Sequence, residues 1–189
     1  MYNIIFSEGI MSTEMLEHLN SRYFDPTLYP GVSHTEDEVT FPLWNLSGQM
    51  VGYQVYNPKL PKNHKGNPRE QKYFTWITRP ASSNNPYLAV WGLESVKNNG
   101  KVIYLTEGIF DACRFHWHGL QALAVLSNNP KHLENFFFAI SRRTIAVVQG
   151  DEAGKQLAKY APTALFLPEG KDAGDLTEDE FREMFLKGD

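Results

Sequence analysis

Two acidic residues stand directly after apolar segments that are typical of buried strands. Glu107 follows the segment KVIYLT (101–106), and Asp151 follows RTIAVV (143–148) within the turn QGDEAG. Because functional groups in an open parallel sheet gather where its strands end, we expect the two acids at the same edge. Carboxylate oxygens suit Mg²⁺ or Mn²⁺, which keeps open positions for water and substrate phosphate. The pattern indicates metal-assisted chemistry on a phosphate, although a solvated turn is also an ordinary place for an acid.

The elements that would position these acids alternate between strand and helix throughout the second half of the chain. Short apolar segments without a polar face, each followed by helical spacing, imply a mostly parallel sheet covered on both sides, and therefore an α/β fold. The predicted strands are 101–106, 121–126, 143–148 and 163–167, and the predicted helices are 109–117, 130–140, 152–160 and 177–186.

The first half has a different pattern, which predicts a smaller α+β subdomain. Ser12 is a candidate N-cap for a helix in which Met15, Leu16, Leu19 and Tyr23 recur at helical spacing, and Asp25-Pro26 would end that helix. Segments 39–44 and 50–56 flank a Ser-Gly turn and predict a hairpin, and 72–76 predicts a further strand before a polar loop at 80–86. We expect the domains to be 1–98 and 99–189, with Asn98-Asn99-Gly100 between them.

Composition limits the classes of protein that this chain can represent. The net charge of the 189 residues is −4, which argues against a protein that coats DNA through a general positive charge. The lone cysteine, Cys113, supports no internal disulfide and no cysteine-rich zinc site, so we expect no zinc in this chain. With no basic leader and no apolar stretch of membrane-spanning length, we expect a soluble, cytoplasmic protein without membrane contact.

Positive charge is nevertheless concentrated in one place, residues 57–72, called the basic segment below. A solvated loop is the ordinary interpretation of such a segment, but its position beside the predicted strand at 72–76 favours contact with a nucleic-acid backbone. Its cations, opposed only by Glu70, are Lys59, Lys62, Lys65, Arg69 and Lys72.

The ordered motifs of the second half resemble the TOPRIM signature. TEGIFDA (106–112), QGDEAGKQLA (149–158) and PEGKDAGDL (168–176) stand in the order of that family, with QALAVLSNN between the first two. In the first half, FPLWNLSGQMVGYQVYNP (41–58), QKYFTW (71–76) and YLAVWGLESV (87–96) resemble the region that precedes TOPRIM in bacterial-type and phage primases. The compact build is closer to a phage primase than to a cellular one, which would place the protein in the host cytoplasm.

The resemblance implies a primase core that makes short RNA primers on single-stranded DNA from nucleoside triphosphates, with Mg²⁺ or Mn²⁺. A replicative helicase and a separate zinc-binding module would be its partners. Glu107 matches the catalytic carboxylate, which would hold metal or act as a general base. The other matched positions are Asp151, Asp111 and Asp172 as metal-site acids, Asp175 as a further acid on the nucleotide side, and Lys72 with the basic segment for template or nucleotide phosphate.

Two positions depart from the family pattern. Gln149 stands where the family has a first aspartate, and Tyr56 stands where many relatives have arginine. An amide offers an oxygen ligand without a negative charge, so the metal would be held more weakly. The protein could therefore work with a reduced metal site, or be a nucleic-acid-binding replication accessory protein that has lost the chemistry. A TOPRIM nuclease or topoisomerase fragment is a third interpretation.

Several other residues favour structural roles. His116 and His118, beside Trp117 at a predicted helix end, are more typical of packing and helix-dipole partners than of metal ligands. Cys113 has no adjacent base and is expected in the core. Phe136, Phe137 and Phe138 are expected to make core and subdomain contacts.

Overall fold

The computed structural model describes residues 11–29, 31–45, 47–79, 89–97, 102–127, 130–139, 143–150 and 154–187. The chain divides into two compact units. The first comprises Met1–Ser21 with Asp25–Trp91, and the second comprises Arg22–Phe24 with Gly92–Asp189. The domain boundary at residue 98 stays a prediction, and the Asn98-Asn99-Gly100 linker lies outside the described residues.

The first unit contains one helix and a four-stranded antiparallel sheet. Its elements are α1 (Thr13–Ser21), β1 (Ser33–His34), β2 (Val39–Trp44), β3 (Met50–Tyr56) and β4 (Tyr73–Ile77). The strands lie in sequence order, with β2 and β3 forming the predicted hairpin. One face of the sheet is built on Val39, Phe41 and Leu43, which are fully buried because alternate residues of a strand point the same way.

Helix α1 begins as predicted but ends earlier. The Ser12 hydroxyl accepts a hydrogen bond from the Met15 amide at 3.1 Å, which is the arrangement of an N-cap. Met15 and Leu19 are buried, whereas Leu16 is exposed. Inclusion of Tyr23 in the helix was wrong: the helix ends at Ser21, and Tyr23 has a φ of +59°, which no helical residue adopts.

The second unit is an α/β domain with a fully parallel sheet, in the order β6-β5-β7-β8. Its elements are β5 (Ile103–Thr106), α2 (Ile109–Trp117), β6 (Gln121–Ala124), α3 (Glu134–Ala139), β7 (Thr144–Val148), α4 (Gly154–Ala158), β8 (Thr163–Phe166) and α5 (Glu178–Phe185). The predicted sheet and its flanking helices are confirmed, and β5 and β7, the strands that precede the two candidate acids, lie side by side.

Several elements of this unit are shorter than predicted. β6 ends at Ala124 rather than at residue 126, because Leu126 takes a left-handed φ of +58°. The segment predicted as a helix at 130–140 begins with a 3-10 turn, Lys131–Leu133, before α3. The segment predicted at 152–160 is described as helical only over Gly154–Ala158, since 151–153 lie outside the described residues.

An aromatic cluster holds α2 and α5 together. The Phe115 ring of α2 lies 5.1 Å from Phe181 and 4.8 Å from Phe185, both of α5, and 4.6 Å from Tyr104 of β5. Thr177 caps α5, as its acidic first turn predicts, and accepts from the Glu180 amide. Over the described residues, no helix combines the length and apolar character needed to cross a bilayer.

Candidate active site

Glu107 is exposed at the carboxyl end of β5, and the backbone around it is firmly held. The Thr106 hydroxyl donates to the Gly108 carbonyl at 3.0 Å and closes the turn that carries Glu107. The Leu126 amide, at the end of the neighbouring strand, donates to the Glu107 carbonyl at 2.9 Å. These contacts leave the Glu107 carboxylate on a fixed backbone at the sheet edge, where a reacting group can reach it.

Asp111 lies in the first turn of α2, and its carboxylate accepts two backbone hydrogen bonds. The Gly108 amide donates to Oδ2 at 3.3 Å, and the Gly174 amide, from a distant part of the chain, donates to Oδ1 at 3.4 Å. A Cβ at position 108 would lie 3.0 Å from Asp111 Oδ2, so glycine gives the carboxylate room to fold back on the turn. Asp111 thus connects the start of α2 to the turn at residues 171–175, called the lysine-aspartate turn below.

The lysine-aspartate turn is stabilised by two reciprocal hydrogen bonds. Asp172 Oδ1 accepts from the Asp175 amide at 3.0 Å, and Asp175 Oδ2 accepts from the Asp172 amide at 3.2 Å. Lys171 points away from this exchange and pairs with Glu180 at 2.6 Å. Asp175 is exposed and is used in shaping the turn, whereas Asp172 faces the acids of β5 and α2.

Glu107, Asp111 and Asp172 line one narrow cleft at the carboxyl edge of the parallel sheet. The cleft joins three of the four acids that the sequence assigns to a metal site. Its walls are formed by Thr106, Glu107, Asp111, Val147, Val148, Gln149, Gly154, Leu157, Leu167, Asp172 and Ala173. Asp151, the fourth acid, lies outside the described residues, and its role stays a prediction.

The surroundings of Asp111 and Asp172 destabilise the charged form of both carboxyl groups. Burial, and then the neighbouring Asp172 charge, raises the pKa of Asp111 to about 7, although two backbone amides and the Arg22 guanidinium oppose the shift. Burial, and then the charge of Asp175, also raises the pKa of Asp172. A divalent cation would supply the opposite charge that this group of acids lacks.

The donor chemistry fits Mg²⁺ or Mn²⁺. Every candidate ligand in the cleft is an oxygen atom, and Mg²⁺ needs only one or two carboxylates when water and phosphate complete its shell. Within the described part of the chain, no three His, Cys, Asp or Glu side chains already form a closed chelating group.

Gln149, the main departure from the TOPRIM pattern, is exposed and lines the same cleft. Its backbone is fixed by Gly154, since a Cβ at position 154 would overlap the Gln149 carbonyl oxygen. Position 149 therefore borders the same cleft as the acids, and it contributes an amide rather than a carboxylate.

The predicted phosphate-binding cations belong to the first unit and differ in availability. Lys62, Lys65 and Arg69 are exposed, and Lys72 is half-buried at the start of β4. Lys59 forms an ion pair with Asp37 at 2.5 Å, which makes it the least available of the five. The roles of all five in binding stay predictions.

Tyr56, the second departure, is fully buried in the first unit. Its hydroxyl lies 2.6 Å from His18 Nε2, and its ring lies 5.0 Å from Tyr73. An arginine at this position could carry charge to a phosphate, whereas this tyrosine is used in packing.

The structural interpretation of His116, His118 and Cys113 agrees with their surroundings. His116 Nε2 is 3.0 Å from the Ala122 carbonyl, His118 stacks on Phe181 at 4.6 Å, and the Cys113 thiol is buried. None of the three lines the cleft. Phe137 is buried, and the side chains of Phe136 and Phe138 lie outside the described residues.

Sequence reasoning missed the residues that shape the site without carrying charge. Thr106 and Gly154 fall inside the motifs, but their contributions depend on a backbone geometry that the motifs do not state. Arg114 was also missed. Its side chain is fully buried, lies 3.9 Å from the Tyr23 ring centroid and pairs with Glu178 at 3.0 Å.

Comparison with known proteins identifies similar solved structures only. No family model and no curated sequence matches the chain. The DnaG primase catalytic domain bound to single-stranded DNA has a TM-score of 0.57 and 20% identity, covering 93% of this chain and 60% of that chain. The Aquifex aeolicus primase structure, with zinc-binding and RNA polymerase domains, has a TM-score of 0.57 and 20% identity, covering 92% and 45%. The primase fragment of the bacteriophage T7 primase-helicase has a TM-score of 0.55 and 13% identity, covering 82% and 64%.

These similarities establish the fold. The chain has the architecture of a primase catalytic core, with a four-stranded parallel TOPRIM sheet and flanking helices. It spans between 45% and 64% of the length of those three structures. Their activities and partners are properties of longer chains.

Proposed function

We propose that this chain is the catalytic core of a DNA primase, which synthesises short RNA primers on single-stranded DNA by metal-dependent nucleotidyl transfer. The observation that carries the proposal is the cleft in which Glu107, Asp111 and Asp172 meet at the carboxyl edge of a parallel sheet. Open α/β sheets place their reactive groups at that edge. The fold is that of solved primase catalytic cores.

Each acidic residue of the site has its own role in the proposed reaction. Mg²⁺ or Mn²⁺, when bound, neutralises triphosphate charge and aligns the attacking and leaving oxygens. Glu107, exposed on a fixed turn, is placed to hold that metal or to accept the proton of the attacking 3′-hydroxyl. Asp111, Asp172 and Asp151 would hold the ion with Glu107, and Asp175 keeps the turn of Asp172 in shape.

Template and partners follow from the same proposal. Lys72 and the exposed cations of the basic segment would contact the phosphates of a single-stranded template or of the incoming nucleotide. A replicative helicase and a separate zinc-binding module would complete the machinery, in the cytoplasm where the DNA is replicated. One similar structure is a primase fragment of a primase-helicase, and another contains a zinc-binding domain.

The test is primer synthesis on single-stranded template with labelled nucleotides and Mg²⁺ or Mn²⁺. We expect the native chain to make short RNA products and Glu107→Gln to reduce their rate on the order of 10²-fold or more, the usual contribution of a positioned acid or base. Glu17→Gln, an exposed change on α1, is the matched control and should retain full activity.

Absence of products from the native chain in either metal, with helicase and zinc-domain protein supplied, would contradict the proposal. If single-stranded DNA binding were intact under those conditions, the replication accessory role would replace it, as the amide at position 149 favours. Metal-dependent nicking of a supercoiled plasmid would instead indicate a nuclease.

A further inference from the structure

The sheet of the first unit has a second face, on which the aromatic side chains remain accessible. Cross-strand partners share a face of a sheet, and Tyr53 pairs with Trp76 while Val55 pairs with Phe74. These four side chains therefore lie together, and we call them the aromatic face. The intervening residues point to the other side, where the Gln54 amide donates to the Thr75 hydroxyl at 2.7 Å.

The rings of the aromatic face form one continuous surface. The Tyr53 and Trp76 rings are nearly parallel, with centroids 5.5 Å apart and an interplanar angle of 28°, and Phe74 lies 6.3 Å from Tyr53. Trp76 is 44% exposed, while Tyr53, Val55 and Phe74 are half-buried. A tryptophan at the open end of such a row presents a flat surface that another planar group can stack on.

Two cations accompany these rings. The Arg69 guanidinium carbon lies 5.4 Å from the Phe74 ring centroid. The ladder continues one residue beyond β4, with the Asn57 amide donating to the Lys72 carbonyl at 3.0 Å. Strand alternation therefore places Lys72 on the same face as Phe74 and Trp76. Positive charge stands next to the rings, and the exposed Lys62 and Lys65 belong to the same basic segment.

We propose that the aromatic face binds single-stranded nucleic acid, with bases stacked on Trp76, Tyr53 and Phe74 and phosphates held by Arg69 and Lys72. Rings provide a surface for unpaired bases of any sequence, and adjacent cations follow the backbone. Paired bases in a duplex offer no free ring face to such a platform. The assignment of the strand as primer template rests on the proposed function, but the binding itself does not require catalysis.

Charge distinguishes this ligand from a protein partner. A protein interface is typically depleted of lysine at its centre, whereas here cations lie next to the rings at one end of the face and continue into the basic segment. The chain as a whole is acidic, with a net charge of −4, so this concentration of positive charge opposes the overall balance. The combination of stacked rings and local positive charge is the one that single strands require.

The test measures the affinity of the full chain for a fluorescent oligothymidylate by anisotropy. We expect Trp76→Leu to weaken binding about tenfold, the usual effect of removing one base-stacking ring, and Trp76→Phe to restore most of it. Trp117→Leu is the matched control, because this tryptophan is 60% exposed on the second unit and should leave affinity unchanged. Lys72→Gln should reduce the dependence of affinity on salt by about one counterion.

A second ligand separates stacking from charge. An abasic strand of equal length keeps its phosphates, so we expect native and Trp76→Leu proteins to bind it equally. Equal affinity of both proteins for oligothymidylate would overturn the inference, and so would self-association of the native chain that Trp76→Leu abolishes. Glu107→Gln should bind the oligothymidylate as the native chain does, so failure of catalysis and failure of this surface are distinguishable.

Discussion

Position 149 decides how strongly the cleft can hold a metal. The Gln149 side chain lines the cleft that Glu107, Asp111 and Asp172 share, and it brings an oxygen without a charge. Two unit charges about 4 Å apart in water interact by on the order of 1 kcal/mol, and the interaction of one carboxylate with a divalent ion is about twice as large. The native chain should therefore need more metal than a cleft with one further carboxylate.

We expect Gln149→Asp to lower the Mg²⁺ concentration for half-maximal primer synthesis about tenfold, after allowance for screening. Titration of synthesis rate with Mg²⁺ measures this, and Gln149→Asn is the control that changes side-chain length without adding charge. An aspartate variant with an unchanged metal requirement would indicate that position 149 makes no contact with the ion.

Site residues were predictable where a motif states their identity. The positions of Glu107 and Asp111 in the fold follow from the motif TEGIFDA (106–112), because strand ends and helix turns place residues regularly. The aromatic face was not predicted, although Lys72, Phe74 and Trp76 at every second position are visible in the sequence. Period-2 spacing gives the shared face, but only the pairing with Tyr53 shows that the rings meet.

Among the elements, α2 and α5 are joined by an ion pair between buried Arg114 and half-exposed Glu178, which no sequence motif predicted. The Arg114 guanidinium lies 3.9 Å from the Tyr23 ring centroid and 4.9 Å from that of Phe181, and it pairs with Glu178 at 3.0 Å. Helix α5 directly follows the lysine-aspartate turn, and α2 carries Asp111. This contact therefore helps to set the distance between Asp111 and Asp172.

We expect Arg114→Ala to lower the free energy of unfolding by about 3 kcal/mol or more, because a fully buried cation with aromatic contacts is lost and a cavity is left. Urea denaturation measures the change. Arg182→Ala is the matched control: Arg182 pairs with the same Glu178 but is 60% exposed, so its loss should cost less than about 1 kcal/mol. Equal losses for both variants would contradict this role for Arg114.

The elements themselves were largely predictable, and their ends were not. The hairpin strands 39–44 and 50–56 and helix 109–117 match the structure because turn residues and periodicity define them locally. The errors at Tyr23 and Leu126 have one cause: both residues adopt a positive φ, which sequence usually signals by glycine or asparagine. At Tyr23, the ring lies against the Arg114 guanidinium, a long-range contact that the local helical pattern does not contain.

At the scale of the whole molecule, stability should depend on pH around neutrality. Burial lowers the pKa of His116, so the folded chain keeps this imidazole neutral where the unfolded chain binds a proton. The free energy of unfolding contributed by this group is therefore lost as pH falls below about 6.5. Asp111 acts in the opposite direction, since its raised pKa removes stability as pH rises towards 7.

His116→Gln isolates the first effect, because the amide can still donate to the Ala122 carbonyl. We expect the native chain to have a higher free energy of unfolding than the variant at about pH 7. This difference should become smaller at pH 5, by no more than about 1.4 kcal/mol per pH unit. Urea denaturation at both pH values measures it, with the more exposed His64→Gln as control. A pH-independent difference would refute the assignment.

Because Gly154 approaches the Gln149 carbonyl so closely, one residue determines the backbone path and another supplies the side chain at the cleft. The main-chain path is dictated by the absence of a side chain at 154, whatever group stands at 149. Mutation can thus exchange an acid for an amide at 149 without displacing the scaffold, and reverse the exchange later. Any side chain at position 154 would clash with the Gln149 backbone. Substitutions should therefore be tolerated at position 149 and selected against at position 154.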